Sequence, residues 1–346
     1  MDETRAALLA KYAAAPAGTI FDPVLKAVAA QQFKGDKRKW PFAGIPTFLA
    51  AAARPEAAAE GFAGLDVALV GVPMDLGVTN RAGARLGPRA VRQIERIGPW
   101  NRVLGVAPMN ELRVADVGDV PMASRFDLAR CHADIAAWFA QLAGTDVVPL
   151  VVGGDHSISR PILAALARKH GPIGLIHIDA HCDTSGEFEG SKFHHGGPFR
   201  FAVLEGSVDP LRTIQIGIRG GGDYLWEFSQ DTGMEVIWAE QFASMGVEAA
   251  IARARGKIGT GPVYVSFDVD CLDPGFAPGT GTPEVGGLAP REVLALLRGL
   301  GGLPIIGGDV VEVAPQYDAT TNTAQAAAQV LFELLCLVAL SRRPKD

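Results

Sequence analysis

The feature that most constrains the fold of this chain is a series of short apolar runs separated by segments with helical periodicity. Runs that are rich in β-branched residues and lack polar alternation are typical of strands buried on both faces of a sheet. Alternating strands and helices predict an α/β fold with a mostly parallel central sheet and helices on both faces. The predicted strands are Val67–Val72, Val147–Val152, Ile173–Ile178, Thr213–Ile218, Val236–Trp238, Val263–Phe267, and Ile305–Ile306 with Val310–Val313. The helix-like segments are Phe126–Leu142, Arg160–Lys169, Val247–Arg255 and Pro290–Leu300.

Composition along the chain predicts two parts, an N-terminal arm over residues 1–65 and a single domain over residues 66–346. The arm is rich in alanine, and prolines interrupt its short helical stretches. A chain of 346 residues exceeds the usual size of one domain, but a single α/β unit can reach this length.

Charge and hydrophobic patterning exclude several kinds of partner. The net charge of -6 gives no overall basic field that would attract nucleic acid. The apolar run from Val330 to Leu340 contains Glu333 and is too short to span a bilayer, so it predicts a buried C-terminal helix. The four cysteines are widely spaced, and the N-terminal residues lack the pattern of a secretory signal. We therefore expect a cytoplasmic protein with reduced thiols and with neither a nucleic-acid nor a membrane partner.

Ionisable residues follow four of the predicted strands. In an α/β sheet, ligands bind beyond the carboxyl ends of the strands, so the residues after each run are the candidates for a site. The segments in these places are GGDHS at 153–157, DAHCD at 179–183, DVDCLDP at 268–274 and Glu312.

The carboxylates in these segments predict metal binding. A buried carboxylate without a partner costs roughly several kcal/mol, and no Lys or Arg lies close by in the sequence. Divalent cations would compensate this charge, and two histidines would add imidazole ligands. Mixed carboxylate and imidazole donors suit Mn²⁺, with Ni²⁺, Co²⁺, Fe²⁺ or Zn²⁺ as alternatives. The six candidate ligands are His156, Asp179, His181, Asp183, Asp268 and Asp270.

The spacing of the ligands favours two ions over one. Residues i and i+2 of an extended strand share a face, so Asp179 should point with His181, and Asp268 with Asp270. Six ligands with bridging carboxylates fit two ions roughly 3.5–4 Å apart. One such pair alone is more often a turn or a cap, and a single structural ion would not need four carboxylates.

Five segments resemble the signature blocks of the ureohydrolases, the arginase and agmatinase family, and favour its agmatinase-like branch. The resemblance extends from about residue 66 to residue 340, and it implies a three-layer α/β/α sandwich whose catalytic domain is residues 66–346. It also implies that His156, Asp179, Asp183 and Asp268 hold one metal ion. Asp179, His181, Asp268 and Asp270 would hold the other, with Asp179 and Asp268 bridging. The segments are GGDHS (153–157), DAHCD (179–183), SFDVDCLDP (266–274), PGTGTPEVGGL (278–288) and GDVVEVAPQYD (308–318).

The resemblance implies hydrolysis of a C–N bond in a guanidino compound, with release of urea and an amine. A guanidinium is a poor electrophile, so two cations that supply hydroxide at neutral pH are expected. His195 is expected to protonate the leaving amine, with His194 as the rival. Glu312 would anchor the guanidinium by charge-assisted hydrogen bonds, and Thr282 would help to position the substrate. Asp183, one of the six candidate ligands, is expected to be catalytic together with His195 and Glu312.

The loop from Ser185 to Gly197 is expected to line the mouth of the pocket and to select the substrate. Its sequence lacks the pattern with which arginases hold an α-amino acid head group. Its length resembles that of guanidinobutyrases and guanidinopropionases, which would place Phe188 at the specificity position. Glu187 and Glu189 flank Phe188 and favour a cationic substrate. The sequence therefore favours agmatine or a compact guanidine or biguanide such as metformin, with a guanidino acid as the alternative.

The resemblance also implies a homo-oligomer, a trimer or a hexamer, in which Trp40 and Phe42 of the arm could contact a neighbour. A mixed oligomer with a related chain, in which this chain is a partner or regulatory subunit, is the alternative of another class. A two-metal phosphoesterase is disfavoured because no histidine follows His195. A deacetylase of similar fold is disfavoured by the full set of six ligands.

Overall fold

In the computed structural model of this protein, which describes residues 3–32, 43–95, 97–221 and 226–343, nine strands form one parallel sheet. Every hydrogen-bonded pair of neighbouring strands in the sheet is parallel. The strands are β1 (Ala52–Ala53), β2 (Val67–Val72), β3 (Val114–Asp119), β4 (Val148–Gly153), β5 (Ile173–Ile178), β6 (Val208–Ile218), β7 (Glu235–Trp238), β8 (Val263–Asp268) and β9 (Ile305–Val311).

The strand order places the last strand of the chain in the middle of the sheet. The order is β1-β3-β2-β4-β9-β8-β5-β6-β7. Gly308 of β9 pairs with Leu150 of β4 on one side and with Val265 of β8 on the other. The four strands β4, β9, β8 and β5 are therefore adjacent, and their carboxyl ends lie at one edge.

Helices cover both faces of this sheet, which confirms the predicted α/β/α sandwich. Successive strand residues face opposite sides, so Val151 packs in one core while Leu150 and Val152 pack in the other. The first core includes side chains of α5, α6 and α7, and the second includes those of α3, α9, α10 and α11. The described helices are α1 (Glu3–Ala14), α2 (Pro23–Gln32), α3 (Gly87–Arg92), α4 (Pro108–Glu111), α5 (Leu128–Ala143), α6 (Ser159–His170), α7 (Pro198–Leu204), α8 (Glu227–Asp231), α9 (Ala239–Ile258), α10 (Pro290–Gly299) and α11 (Asn322–Arg342).

Two predicted strands coincide with β2 and β5, and the others differ at their ends. The two short runs at 305–306 and 310–313 belong to one strand, β9. Gly307 and Gly308 separate the runs in the sequence, but they continue the strand at positions where larger side chains would not fit. A Cβ atom on Gly307 would lie 2.9 Å from Cε2 of Tyr264. The pattern missed β3, whose buried Asp116 interrupts the apolar run and is paired with Arg92 at 2.8 Å.

The chain divides into two compact units, Met1–Ala43 and Gly44–Asp346. In the first unit, the ring of Tyr12 meets that of Phe21 edge-on at 5.0 Å. In the second unit, the segment before β2 contributes Phe48 and Phe62 to the cores. The predicted division at residue 65 into an arm and a catalytic domain stays a prediction, and Trp40 and Phe42 lie outside the described residues.

The C-terminal helix α11 is buried, as predicted from its apolar sequence. It is the one helix among the described residues that is long and apolar enough to cross a membrane, and 78% of its most apolar window is buried within the protein. Glu333 lies in this buried stretch, where its Oε1 is 2.6 Å from Nη2 of Arg298. Its Oε2 accepts a hydrogen bond of 2.6 Å from Nδ2 of Asn101. With a further hydrogen bond of 3.1 Å from Nε2 of Gln329 to Oε1, the carboxylate is compensated by one cation and two amides.

We expect Arg298→Leu to lower the free energy of unfolding by about 3 kcal/mol, because it leaves the buried carboxylate of Glu333 without its cation. Urea unfolding followed by circular dichroism measures this loss. The matched control is Arg253→Leu, which breaks a more exposed pair with Glu235 and should cost less than about 1 kcal/mol. Equal losses in the two variants would contradict the role assigned to the buried pair.

Candidate metal centre

The carboxyl ends of the four adjacent strands bring the ionisable residues together. β5 ends before Asp179, β8 ends on Asp268, and β9 ends before Glu312. His156 stands in the turn between β4 and α6. These four residues are 0–2% exposed, so the site lies in the interior at the edge of the sheet.

Short turns, rather than extended strand, bring each i and i+2 pair together. Oδ1 of Asp179 accepts a hydrogen bond of 2.6 Å from the backbone N–H of His181. Oδ1 of Asp268 accepts one of 2.8 Å from the N–H of Asp270, and a 3₁₀ turn begins there. The expectation from an extended strand was wrong in its geometry. The same pairs nevertheless converge, because a carboxylate readily accepts from the N–H two residues on.

His156 lies at the centre of the first group of possible metal ligands. Its Nδ1 is 2.9 Å from Asp183, 3.1 Å from Asp179 and 3.3 Å from Asp268, measured to Oδ2 of each. Its Nε2 lies 2.7 Å from Oγ of Ser266, which donates to Oδ1 of Asp309 at 2.6 Å. Since the hydroxyl proton of Ser266 is directed to Asp309, its oxygen accepts the proton on Nε2, which leaves the lone pair on Nδ1.

The donor set at Nδ1 of His156 fits a cation. Within the described part of the chain, this buried atom has no hydrogen-bond partner of acceptable geometry, although three carboxylates surround it. A lone pair facing carboxylate oxygens is stabilised only by a positive charge between them. A metal ion bound by imidazole and carboxylates meets this requirement, with Nε2–H oriented by a partner in the usual way.

A second group shares Asp179 with the first. Nδ1 of His181 is 3.1 Å from Oδ2 of Asp270 and 3.5 Å from Oδ1 of Asp179. Asp179 thus turns one oxygen to His156 and the other to His181, as a bridging carboxylate would. The structure brings all six predicted ligands into these two neighbouring groups.

Electrostatics also favour cations at this place. Burial raises the pKa of Asp268 well above its usual range, and the charges of Asp270 and Asp179 raise it further. The pKa of Asp270 is raised as well, by burial and then by Asp179. Burial lowers the pKa of His156, but its interactions with Asp179, Asp183 and Asp268 outweigh this and raise it.

His177, a buried residue of the strand β5, also contacts the site. Its Nε2 is 2.7 Å from Oδ2 of Asp179, and its Nδ1 lies 3.0 Å from Nε2 of Gln215. With the amide donating to Nδ1, the ring donates from Nε2 to the shared carboxylate. The signal in the sequence was its position two residues before Asp179, which places both side chains on one face of the strand end.

Glu312 and His195 form a pair beside the two groups. Oε1 of Glu312 accepts hydrogen bonds from the N–H of His156 at 2.8 Å and from Nδ1 of His195 at 2.9 Å. Its Oε2 is buried and has no hydrogen-bond partner among the residues the structure describes. Glu312 has a φ of +64°, an uncommon conformation for a residue other than glycine. The rival His194 directs its Nε2 to the carbonyl of Gly186 at 2.7 Å, so His195 is the better placed of the two.

The charge balance at His195 favours the imidazolium. Burial alone lowers the pKa of the ring, but the charge of Glu312 and the hydrogen bond to it oppose this effect. Together with the charges of Asp183 and Asp155 they raise the pKa to about 9.

The predicted substrate-binding residues are more dispersed. Oγ1 of Thr282 donates to Oδ2 of Asp270 at 3.1 Å, so this hydroxyl orients a candidate ligand. Phe188 is 52% exposed and pairs with Ser191 across a tight turn, and the neighbouring Glu187 is exposed too. Sequence reasoning missed Glu284, whose Oε1 lies 3.5 Å from Nε2 of His181. Its signal was an acidic residue within the segment PGTGTPEVGGL.

Comparisons with known proteins agree with this geometry. The model of the arginase family matches residues 65–336. Guanidinopropionase of Pseudomonas aeruginosa is 48% identical over 87% of this chain and 93% of its own length. Mitochondrial agmatinase of Gallus gallus is 47% identical over 80% of this chain and 82% of its own. The structure of proclavaminate amidinohydrolase from Streptomyces clavuligerus superposes with a TM-score of 0.82 at 38% identity, covering 88% of this chain and all of that one.

We expect protein stripped by a chelator to bind two Mn²⁺ per chain, and Ser266→Ala to weaken this binding by roughly 10–100-fold. The variant removes the acceptor that orients Nε2 of His156. Isothermal titration calorimetry measures the affinity without reference to activity. Ser244→Ala, which alters an exposed serine of α9, is the control and should bind as the wild type does. Unchanged affinity in Ser266→Ala would contradict the orientation assigned to His156.

Proposed function

The chain belongs to the arginase family, and we propose that it hydrolyses a small guanidino compound lacking an α-amino acid head group. It is a hydrolase of C–N bonds in linear amidines, and its relatives are amidinohydrolases of guanidino compounds. The observation that carries the proposal for this site is the unpartnered Oε2 of Glu312, a buried anionic acceptor next to two groups of possible metal ligands.

We propose that one metal ion is held by His156, Asp179, Asp183 and Asp268, and the other by Asp179, His181, Asp268 and Asp270. Two divalent ions bound there would lower the pKa of a water molecule and supply hydroxide near neutral pH. Carboxylate and imidazole donors favour Mn²⁺, with Ni²⁺ as the alternative. The nearby thiols support a site without sulfur ligands: burial raises the pKa of Cys182 to about 12 and that of Cys271 well above its usual range.

Glu312 binds the guanidinium in this proposal. A planar cation that donates through N–H groups satisfies the buried Oε2. Oε1 is already held by the N–H of His156 and by His195, so the carboxylate is fixed before substrate arrives. The central carbon of the guanidinium would thereby lie next to the candidate metal ligands rather than in the loop at 185–197.

His195 delivers the proton that the leaving amine needs. A substituted amide anion is a poor leaving group, so protonation of the nitrogen must accompany C–N cleavage. The ring shares Glu312 with the guanidinium, which places the proton donor beside the bond that breaks. Asp183 holds the first ion, and its negative charge helps to keep His195 protonated.

The charges around the site favour a cationic or small neutral tail, such as that of agmatine. Glu284 lies next to His181, and Glu187 and Glu189 project from the exposed turn. Carboxylates at an entrance disfavour a substrate that carries a carboxylate. A guanidino acid is the second candidate, favoured by the similarity to guanidinopropionase and to guanidinobutyrase of Pseudomonas aeruginosa, which is 44% identical.

Two further parts of the proposal concern the protein in the cell. We propose a homo-oligomer, a trimer or hexamer, in the cytoplasm. Several relatives, including the 45% identical guanidino acid hydrolase of Homo sapiens, are named as mitochondrial proteins.

We expect Glu312→Gln to lower kcat/KM by about 100-fold, because the amide keeps the shape but loses the charge that binds the guanidinium. Steady-state assays of released urea give the ratio. Metal content measured on the same sample should be unchanged, since Glu312 is not among the ligands. Glu248→Gln, an exposed glutamate of α9, should leave the kinetics as they are. Wild-type activity in Glu312→Gln would remove this residue as the anchor.

We expect agmatine to be hydrolysed with a higher kcat/KM than 4-guanidinobutanoate, 3-guanidinopropanoate or L-arginine, because Glu187, Glu189 and Glu284 disfavour a substrate that carries a carboxylate. A panel that adds guanidine and metformin, assayed for urea and amine, ranks the substrates. Glu187→Gln and Glu284→Gln should narrow the difference between agmatine and the guanidino acids. A clear preference of the wild type for a guanidino acid would refute the charge argument and establish the second candidate.

A further inference from the structure

The loop between β2 and α3 holds His195 on two sides. The carbonyl of Gly77 accepts a hydrogen bond of 2.8 Å from the backbone N–H of His195. Two residues later, the N–H of Thr79 lies 3.0 Å from Nε2 of the ring, and Oγ1 of Thr79 lies 2.8 Å from the same atom. Nδ1 of His195 is directed to Glu312. Both ring nitrogens therefore have hydrogen-bond partners: Nδ1 has the carboxylate of Glu312, and Nε2 has Thr79 of this loop.

The loop is itself fixed from the core. Oδ2 of Asp155 accepts a hydrogen bond of 2.8 Å from the N–H of Gly77. A Cβ atom at Gly77 would lie 2.9 Å from the carbonyl oxygen of Phe193 and 3.0 Å from Oγ of Ser157. The close approach of the loop to the His195 segment thus depends on glycine at this position. The contacts of Gly77 therefore fix the position of this loop, and with it that of Thr79, beside the imidazole.

The two donors of Thr79 behave differently when His195 changes its protonation state. In the neutral ring with hydrogen on Nδ1, the lone pair of Nε2 accepts from the N–H and from the hydroxyl of Thr79. Once Nε2 carries a proton, it has no lone pair left to accept a hydrogen bond from the backbone N–H of Thr79. Among the contacts of Nε2 in the described residues, Oγ1 of Thr79 is then the one acceptor. The hydroxyl can serve both states because it is a donor and an acceptor.

Exposure gives this hydroxyl a second role. His195 is 8% exposed, whereas Thr79 is an exposed residue. Thr79 is therefore an exposed residue in contact with a buried ring that, in the proposed function, must gain and lose a proton in each turnover.

We propose that Thr79 is a positioning residue that exchanges protons between solvent and Nε2 of His195, an inference that rests on the proposed function. To load the ring, the hydroxyl proton moves to Nε2 while a water molecule gives a proton to Oγ1. Two O–H bonds break, one in threonine and one in water, while one O–H bond forms on threonine and one N–H bond forms on the ring, and the hydroxide left behind takes a proton from buffer. The reverse sequence unloads the ring, and threonine ends unchanged in both directions.

The charged groups around His195 come from three other elements. Glu312 follows β9, Asp155 follows β4, and Asp183 lies in the loop after β5. All three stabilise the imidazolium, and residues 77–79 are uncharged. Thr79 thus acts on the ring by hydrogen bonding alone, which separates its effect from that of the carboxylates.

The experiment compares Thr79→Val with Thr79→Ser in the full-length, Mn²⁺-loaded protein. Valine keeps the shape and the backbone N–H but removes the hydroxyl, so the protonated ring loses its acceptor at Nε2. We expect kcat to fall about 10-fold with KM nearly unchanged, and the alkaline limb of the pH profile to move about one unit lower. Serine should recover most of kcat and the wild-type profile. Thr145→Val, remote from the site before β4, is the control for loss of a threonine hydroxyl.

A second measurement does not depend on activity. Hydrogen–deuterium exchange at the imidazole C2 position, followed by mass spectrometry of peptides, reports the pKa of His195 in each variant. We expect a lower pKa in Thr79→Val than in Thr79→Ser or wild type. Equal His195 pKa values and equal pH profiles in valine and serine variants would overturn the inference. If the wild type hydrolyses no guanidino compound, the proposed function fails instead, and the exchange measurement still decides the contact.

Discussion

Carboxylates buried at the ends of four adjacent strands are the constraint on which the rest of the structure depends. Asp179, Asp268, Asp270 and Glu312 lie within a few residues of those strand ends and are nearly inaccessible to solvent. In an interior of low dielectric constant, such a group of like charges is stable only with cations, protons or donors around it. The parallel sheet brings these carboxylates together, and the surrounding side chains and ions must supply the compensating positive charge.

Two sets of contacts hold the segments that carry these carboxylates in place. Beneath the site, Asp309 accepts hydrogen bonds from Ser266, Tyr264 and Ser159, at 2.6–2.8 Å, so the group that orients His156 is itself fully held. At the side, the guanidinium of Arg219 donates to the backbone carbonyls of Asp270, at 2.8 Å, and of Glu284, at 2.6 Å. One cation thus joins the segment after β8 to the loop that carries Glu284. The positions of the candidate ligands are set by these contacts as much as by the strands.

The central strands and the six candidate ligands could be predicted from the sequence because both leave local signals. A strand buried on two faces is continuous in hydrophobicity, and acidic residues placed just after it have few structural explanations. The partners of the ligands leave no such signal, since Ser266 is 110 residues from His156 and Thr79 is 116 from His195. β3 was missed because Asp116 is compensated by Arg92 across the fold, which no local pattern shows. For the loop at 185–197, the sequence indicated candidate residues but not the orientation of their side chains. Phe188 and Glu187 are exposed on a turn.

The central place of β9 has a consequence for how the protein is made. As the ribosome extends the chain, β1 to β4 can associate on one side and β5 to β8 on the other, but hydrogen bonding between these two sub-sheets requires β9. The strand that joins them is synthesised after residue 304 and ends immediately before Glu312. N-terminal regions fold first during synthesis, so two half-sheets with open edges would coexist until β9 is made. Completion of the sheet and arrival of Glu312 beside the two groups of possible metal ligands are therefore one event.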